Sequence, residues 1–219
     1  MSPLAPLARR LHAPVYRARQ AALTAAIAPH LRPTDRLLDV GCGGGALAAA
    51  LAAAVPGLHA EGAETHPRGG EPVPVTAYDG RALPFPDDAF DVVTVADVLH
   101  HDPNPVAVLR ACARVAGRLV VVKDHHPGGR LPFAHARICL MDWAANTGYG
   151  VKCLYDYPTA AGWRARFERA GLRVEHEAVD LQLYPRPYRW VFTPGLQYLA
   201  VCGVGCAGSE TPPREGSPE

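Results

Sequence analysis

The chain has 219 residues, a mass of 23.3 kDa and a net charge of +1. With 48% hydrophobic and 20% charged residues it can bury a sizeable core, which excludes a wholly disordered chain, and its length suits one domain. The balanced charge lacks the basic excess of a dedicated nucleic-acid binder, and no apolar run is long enough to span a bilayer.

The first 34 residues carry Arg9, Arg10, Arg17, Arg19 and Arg32 and no acid. Such a bias suits an organelle-targeting segment. Leu7, Leu11, Val15, Ala18, Ala22 and Ile27 roughly follow helical spacing, however, and the segment is read as a helix that Pro14 interrupts. Arg36–Val40 is a first strand, and a glycine-rich turn follows. Ala46–Val55 is a helix, ended by Pro56-Gly57. Leu58–Ala63, Val73–Ala77 and Phe90–Ala96 are the next three strands, Pro105–Val115 is a helix and Gly117–Lys123 a fifth strand. Only eight residues, Thr65 to Pro72, separate Glu64 from Val73, two of them proline and two glycine. A parallel crossover normally takes a dozen or more residues, so this one is expected to be a loop without a helix. Continuous Val/Leu runs imply strands buried on both faces, and their alternation with helices implies a parallel, doubly wound sheet.

Twelve of the sixteen aromatic residues lie at or beyond Phe133. Leu131–Asn146 and Pro158–Ala170 read as helices, Leu172–Leu183 and Leu196–Cys202 as strands. The expected organisation is one domain over 1–203, with an N-terminal helical segment (1–34), a lid or acceptor-site insertion (130–170) and a disordered tail (204–219). The six cysteines, Cys42, Cys112, Cys139, Cys153, Cys202 and Cys206, form no CxxC pattern and are expected to be reduced thiols of a cytoplasmic protein.

Between the first strand and its helix runs Asp39-Val40-Gly41-Cys42-Gly43-Gly44-Gly45. The glycines permit a sharp turn and close approach to a ligand. A pyrophosphate needs positive potential at such a place, and Asp39 opposes it. A ligand with a cationic end fits better, although Asp39 could also cap the turn. A dinucleotide-dependent oxidoreductase, which Gly41-x-Gly43-x-x-Ala46 would permit, is therefore disfavoured.

LLDVGCGGG is similar to the first motif of class I S-adenosylmethionine-dependent methyltransferases. Glu64 at the end of the second strand, the stretch AYDGRALPFPDDAFDVV and the later ADVLHHDPNP extend the resemblance over about residues 36–123, towards the small-molecule branch that includes quinone-biosynthesis enzymes. The departures are the missing second helix and Glu in place of Asp at 64. The resemblance implies a seven-stranded Rossmann-like sheet of order 3-2-1-4-5-7-6 with the last strand antiparallel, and helical lid additions. It also implies S-adenosyl-L-methionine as cofactor, with contacts from Asp39, Gly41, Cys42, Gly43, Glu64, Asp79, Gly80, Leu83 and Ala96. Glu64 would meet the ribose hydroxyls; Glu64 could instead be a surface carboxylate and Asp79 a turn-former.

Methyl transfer is mainly a matter of positioning, but a hydroxyl or acidic carbon acceptor also needs a base. His100-His101 follow the fourth strand and Asp124-His125-His126 the fifth, so they can converge beyond the strand ends. His101 or His125 is the expected base, with Asp124 orienting an imidazole. His100 could instead pack against the sheet and His126 be a solvated loop residue. A metal held by His101, Asp102, Asp124 and His125 is conceivable, but no HxxxH or carboxylate triplet is present and none is expected. Trp143, Asn146, Tyr149, Tyr155, Tyr157, Tyr184, Tyr188 and Trp190 could line a pocket for an apolar or aromatic acceptor, or fill a small core of their own. The Asn/Asp-Pro-Pro-aromatic motif of nucleic-acid amino-methyltransferases and a Pro-Cys nucleophile are both absent, so a small-molecule acceptor, methylated at O or C, is expected. A non-catalytic binding protein or partner subunit is the alternative.

Overall fold

In a computed structural model of the chain, residues 5–128, 133–146, 153–184, 186, 189 and 195–205 are described. The elements follow in the order α1 (Ala5–Ile27), β1 (Arg36–Val40), α2 (Ala46–Ala54), β2 (His59–Glu64), β3 (Val75–Ala77), β4 (Phe90–Ala96), α3 (Pro105–Val115), β5 (Ala116–His125), α4 (Ala134–Asn146), α5 (Ala160–Arg169), β6 (Leu172–Ala178) and β7 (Gln197–Val204), with short 3₁₀ turns at Ala28–His30 and Leu99–His101. The seven strands form one sheet of order β3-β2-β1-β4-β5-β7-β6. β1 to β5 are parallel to their neighbours, while β7 runs antiparallel to both β5 and β6.

Successive side chains of a strand leave opposite faces, and both faces here are covered. Leu38, Val93, Val95, Val120 and Val122 meet Leu109 and Val115 of α3 and Trp163 and Phe167 of α5. Leu37, Val92, Val121 and Val201 meet Leu23 and Ile27 of α1 and Leu47 and Leu51 of α2. Each such side chain fully buried contributes roughly 1.5–3 kcal/mol, so an uninterrupted Val/Leu strand gains on both sides. Two helix starts are fixed by caps: Asn104 accepts from the Ala107 amide at 3.2 Å with Pro105 in the first turn, and Thr159 accepts from the Gly162 amide at 3.2 Å.

Residues 65–74, the ten between β2 and β3, contain no helix, as expected of so short a link. Three expectations are corrected. α1 runs through Pro14 without a break, because a long helix tolerates the loss of one amide bond. The sixth strand stops at Ala178 rather than Leu183; its partner β7 pairs no further than that residue. β5 continues past Lys123 to His125, because β7 supplies partners as far as Gln197. β7 ends at Val204, and the tail beyond Gly205 lies outside the described residues. Among the described residues no helix is long and apolar enough to cross a membrane, and Cys42, Cys112, Cys139, Cys153 and Cys202 are unpaired.

Candidate active site

The carboxyl ends of β1, β2, β4 and β5 lie side by side, and every titratable cluster of interest hangs from them. The glycine turn comes first. Gly41, Gly43 and Gly45 have φ of 68°, 56° and 71°, a region costly for any side chain. The Gly41 amide donates to Ala63 O at 2.8 Å, tying the turn to β2. A Cβ on Gly41 would stand 2.5 Å from Val98 Cγ2, whereas the space over Gly44 is open and Gly43 has only the Arg68 guanidinium at 3.8 Å. No side chain caps the start of α2, which leaves its first-turn amides for a ligand. The turn is thus packed tightly on one side and open on the other.

Asp39 lies beneath this turn, 2% exposed, accepting from Thr94 Oγ1 at 2.7 Å. Burial pushes its carboxyl up to about 7 and nearby Glu64 adds to the rise, although the Thr94 hydroxyl works against both. A carboxyl in that state gains most from a cation. Burial, with Asp39 and Glu64 beside it, pushes the Cys42 thiol up to about 12, so Cys42 is a packing group and not a nucleophile. Glu64 Oε2 accepts from the Gly43 amide at 2.8 Å, and Oε1 accepts from the Thr65 amide at 2.7 Å and hydroxyl at 3.0 Å. Asp79 Oδ1 accepts from the amides of Arg81 (2.8 Å) and Ala82 (3.0 Å), which forms a turn and holds its pKa down. Gly80, at φ 77°, lies against Thr65. Leu83 is buried in the core and Ala96 is half-buried at the end of β4. Asp39, the glycine turn, Glu64 and the Asp79-Gly80 turn therefore border one region. Its chemistry suits a nucleoside that carries a positive charge: the cradle is open and the acid beneath it is buried.

A second group extends this region across β4 and β5. Asp97 has φ of 56°, unusual for a non-glycine residue. Its carboxylate is paired with Lys123 from β5 and with Arg19 from α1. Burial opposes the charge on Asp97, but the two cations outweigh it and hold the carboxyl far below its ordinary value. Lys123 is 1% exposed, and burial lowers its pKa. Composition and spacing single out none of these three; the available signal is a lysine closing an apolar strand (LVVVK).

The histidines form the third group. His100 is buried with Nδ1 2.7 Å from Asp124 Oδ1, and its Nε2 lies 3.4 Å from Asp142 Oδ1. Burial disfavours its charge, yet Asp124 and Asp142 prevail and raise its pKa to about 10. His101 Nε2 lies 3.5 Å from the same Asp142 oxygen, and Tyr157 donates to Asp142 Oδ2 at 2.6 Å. Asp124 thus faces the imidazole of His100, not that of His101 or His125. His125 Nδ1 is 3.3 Å from Leu196 O and Nε2 3.5 Å from Asp97; burial and Lys123 lower its pKa to about 4. His126, expected to be solvated, is buried with Nε2 2.6 Å from Val179 O, because β7 and the turn after β6 close over it. Asp102 is a turn-former, accepting from the Asn104 amide at 2.6 Å. Of the aromatic set, Tyr157 joins the histidines, Tyr184 hydrogen-bonds Arg19, and Trp143 and Tyr155 are 56% and 38% exposed. Tyr149, Tyr188 and Trp190, and the side chain of Asn146, lie outside the described residues. Asp142, the acid of α4 that completes the cluster, has no sequence signal beyond being one charge in CLMDW.

A doubly wound sheet of this strand order, with an acid under a glycine turn at its carboxyl edge, defines the class I methyltransferase class. The methyltransferase-domain family matches residues 11–177, and the chain belongs to it, with S-adenosylmethionine as cofactor. It is 31% identical over 178 residues to the 27-O-demethylrifamycin SV methyltransferase of Amycolatopsis mediterranei, covering 72% of this chain and 60% of that one. It is 36% identical over 99 residues to the ubiquinone biosynthesis O-methyltransferase of Hahella chejuensis, covering 38% and 40%. The chain thus spans between two fifths and three fifths of these curated relatives. A solved S-adenosylmethionine-dependent methyltransferase from Methanosarcina mazei has the same fold, with a TM-score of 0.61 at 16% identity over 81% of this chain and 96% of that one.

Proposed function

We propose that the protein transfers a methyl group to a hydroxyl oxygen of a small apolar or aromatic molecule, in the cytoplasm and without a nucleic-acid partner. The observation that carries the reading is the buried Asp39 carboxyl beneath an open glycine cradle. When bound, S-adenosylmethionine supplies an activated methyl carbon on a positively charged sulfur. Asp39 holds the cationic amino-acid end of the cofactor, and its carboxylate form is stabilised by that contact. The backbone of Gly41, Cys42 and Gly43 accommodates the chain where side chains would obstruct it. Glu64 accepts from the ribose hydroxyls, and Asp79, Gly80, Leu83 and the backbone at Ala96 border the base.

Oxygen is the acceptor atom favoured by the relatives, two of which carry O-methylation in their names. On this chain the acceptor would lie over the ends of β4 and β5. His101 is the base that suits it: its side chain is 17% exposed, whereas His125 is walled in and its Nδ1 is turned to Leu196 O. Asp124 acts at one remove, holding His100 against β5. The five unpaired cysteines suit a reducing compartment.

The test is a turnover assay with a panel of phenols and aliphatic alcohols, read by mass spectrometry for a gain of one methyl. We expect O-methylated product from the wild type and a rate lower by about 10²–10⁴-fold in His101→Ala. Binding of S-adenosylhomocysteine without product from any acceptor would favour a non-catalytic binding protein instead.

A further inference from the structure

Three donor atoms from two separate elements meet above the β4–β5 junction. Nε2 of His100 and Nε2 of His101 come from the 3₁₀ turn after β4, and Oδ1 of Asp142 comes from α4. The two nitrogens stand 3.4 Å and 3.5 Å from that one oxygen, and all three atoms lie within 4.8 Å of one another. These separations exceed an ideal N–H···O bond. The two nitrogen–oxygen separations are close to those of ligands around a tetrahedral ion, where atoms about 2.0–2.1 Å from zinc stand roughly 3.3–3.4 Å apart.

The atoms behind the donors are arranged for the same purpose. The ring nitrogen of His100 that faces away from the cluster, Nδ1, is 2.7 Å from Asp124 Oδ1, the carboxylate–histidine backing that fixes a metal ligand's tautomer. The other oxygen of Asp142, Oδ2, accepts from Tyr157 at 2.6 Å, and Oδ1 is the one that the imidazoles approach. Asp124 Oδ2 is buried without a hydrogen-bond partner. Asp124 and Asp142 place two carboxylates beside His100, and a divalent cation would balance them in place of the imidazole's proton.

We propose that His100, His101 and Asp142 form a three-ligand site for a divalent transition-metal ion, zinc foremost, with a fourth coordination position that no ligand among the described residues fills. Two nitrogens, one carboxylate oxygen and an open position are the donor set of catalytic rather than structural zinc. The sequence alone expects no metal, because Asp142 is 41 residues beyond His101 and no spacing rule joins them. The ion also has a structural consequence, since it would pin α4 to the sheet. Its role in turnover rests on the methyl-transfer reading above: the acceptor hydroxyl would take the open position, its O–H bond breaking as its oxygen binds the ion and the proton passing to water. The two roles of His101 exclude each other: loss of Zn²⁺ affinity in His101→Ala makes it a ligand, and a chain that binds no Zn²⁺ leaves it as the base named above.

The test uses the full chain, stripped with a chelator and titrated with Co²⁺ and then Zn²⁺. One equivalent of Co²⁺ should produce the visible absorption of a four- or five-coordinate ion, and Zn²⁺ should abolish it. His101→Ala, at a partly exposed position that leaves the fold intact by circular dichroism, should weaken Zn²⁺ binding by at least about 100-fold, and Asp124→Asn by about 10–100-fold. Absence of the visible band, or equal Zn²⁺ affinity in wild type and His101→Ala, would overturn the site. Titration of S-adenosylhomocysteine into the same samples separates the two readings. Cofactor binding without metal binding overturns the metal site alone. Metal binding without cofactor binding supports the site and overturns the methyl-transfer reading.

Discussion

Asp39 carries a pH dependence with a definite sign. Its carboxyl titrates at about 7 in the folded chain, above its ordinary value, because burial penalises the charge. The folded state therefore holds a proton that the unfolded state has lost, and this group's contribution to stability declines as pH rises from about 4 to about 7. A cationic ligand needs the ionised form and expels that proton. Affinity for S-adenosylhomocysteine should thus fall by about tenfold per pH unit below 7 and level off above it. Calorimetry between pH 5.5 and 8.5 reads the slope, and Asp39→Asn should flatten it while raising the melting temperature at pH 8. Lys123 makes the opposite kind of contribution. It is buried against Asp97, and Lys123→Met leaves that carboxylate with Arg19 and the more distant His125. The expected loss is about 3 kcal/mol, measured by urea denaturation.

The glycine turn and α1 show how much an element's role depends on what it faces. Gly41→Ala places a methyl against Val98 in a left-handed conformation, so it should lower both the melting temperature and cofactor affinity. α1 contributes Leu23 and Ile27 to the core, and Leu23→Ala should cost about 2–5 kcal/mol in urea denaturation. The same helix delivers Arg19 to Asp97, so its arginines are not interchangeable surface charges. The limits of β1, β4 and α3 were legible because apolar runs there end at turn chemistry that has a mechanism: glycines after Val40, Asn104-Pro105 before α3. The end of β6 was not, since Val179 to Leu183 continues an extended, partly apolar pattern, and the ladder stops at Ala178 although β7 runs on to Gln197.

At the scale of the molecule, a sheet buried on both faces leaves its strand ends as the place where polar groups can gather. That is why Asp39, Glu64, Asp97, Lys123 and Asp124 all stand at carboxyl ends. The acids of the glycine side were legible from local motifs, each within a few residues of a strand end. The partnerships were not: Arg19 with Asp97, His100 with Asp142 and Tyr157 with Asp142 join residues from separate elements, and only tertiary packing brings them together. The pairing of Asp124 with His100 in place of its neighbour His125 is of the same kind, because β5 turns successive side chains to opposite faces.

The most direct check is a calorimetric titration of S-adenosylhomocysteine into the wild type and Gly43→Val at pH 8. The wild type should bind one molecule per chain. Gly43→Val, which fills the open side of the cradle at a φ of 56°, should bind at least about tenfold more weakly. A wild type that takes up no S-adenosylhomocysteine, or a variant that binds it equally well, would contradict a methyl-donor site at the glycine turn.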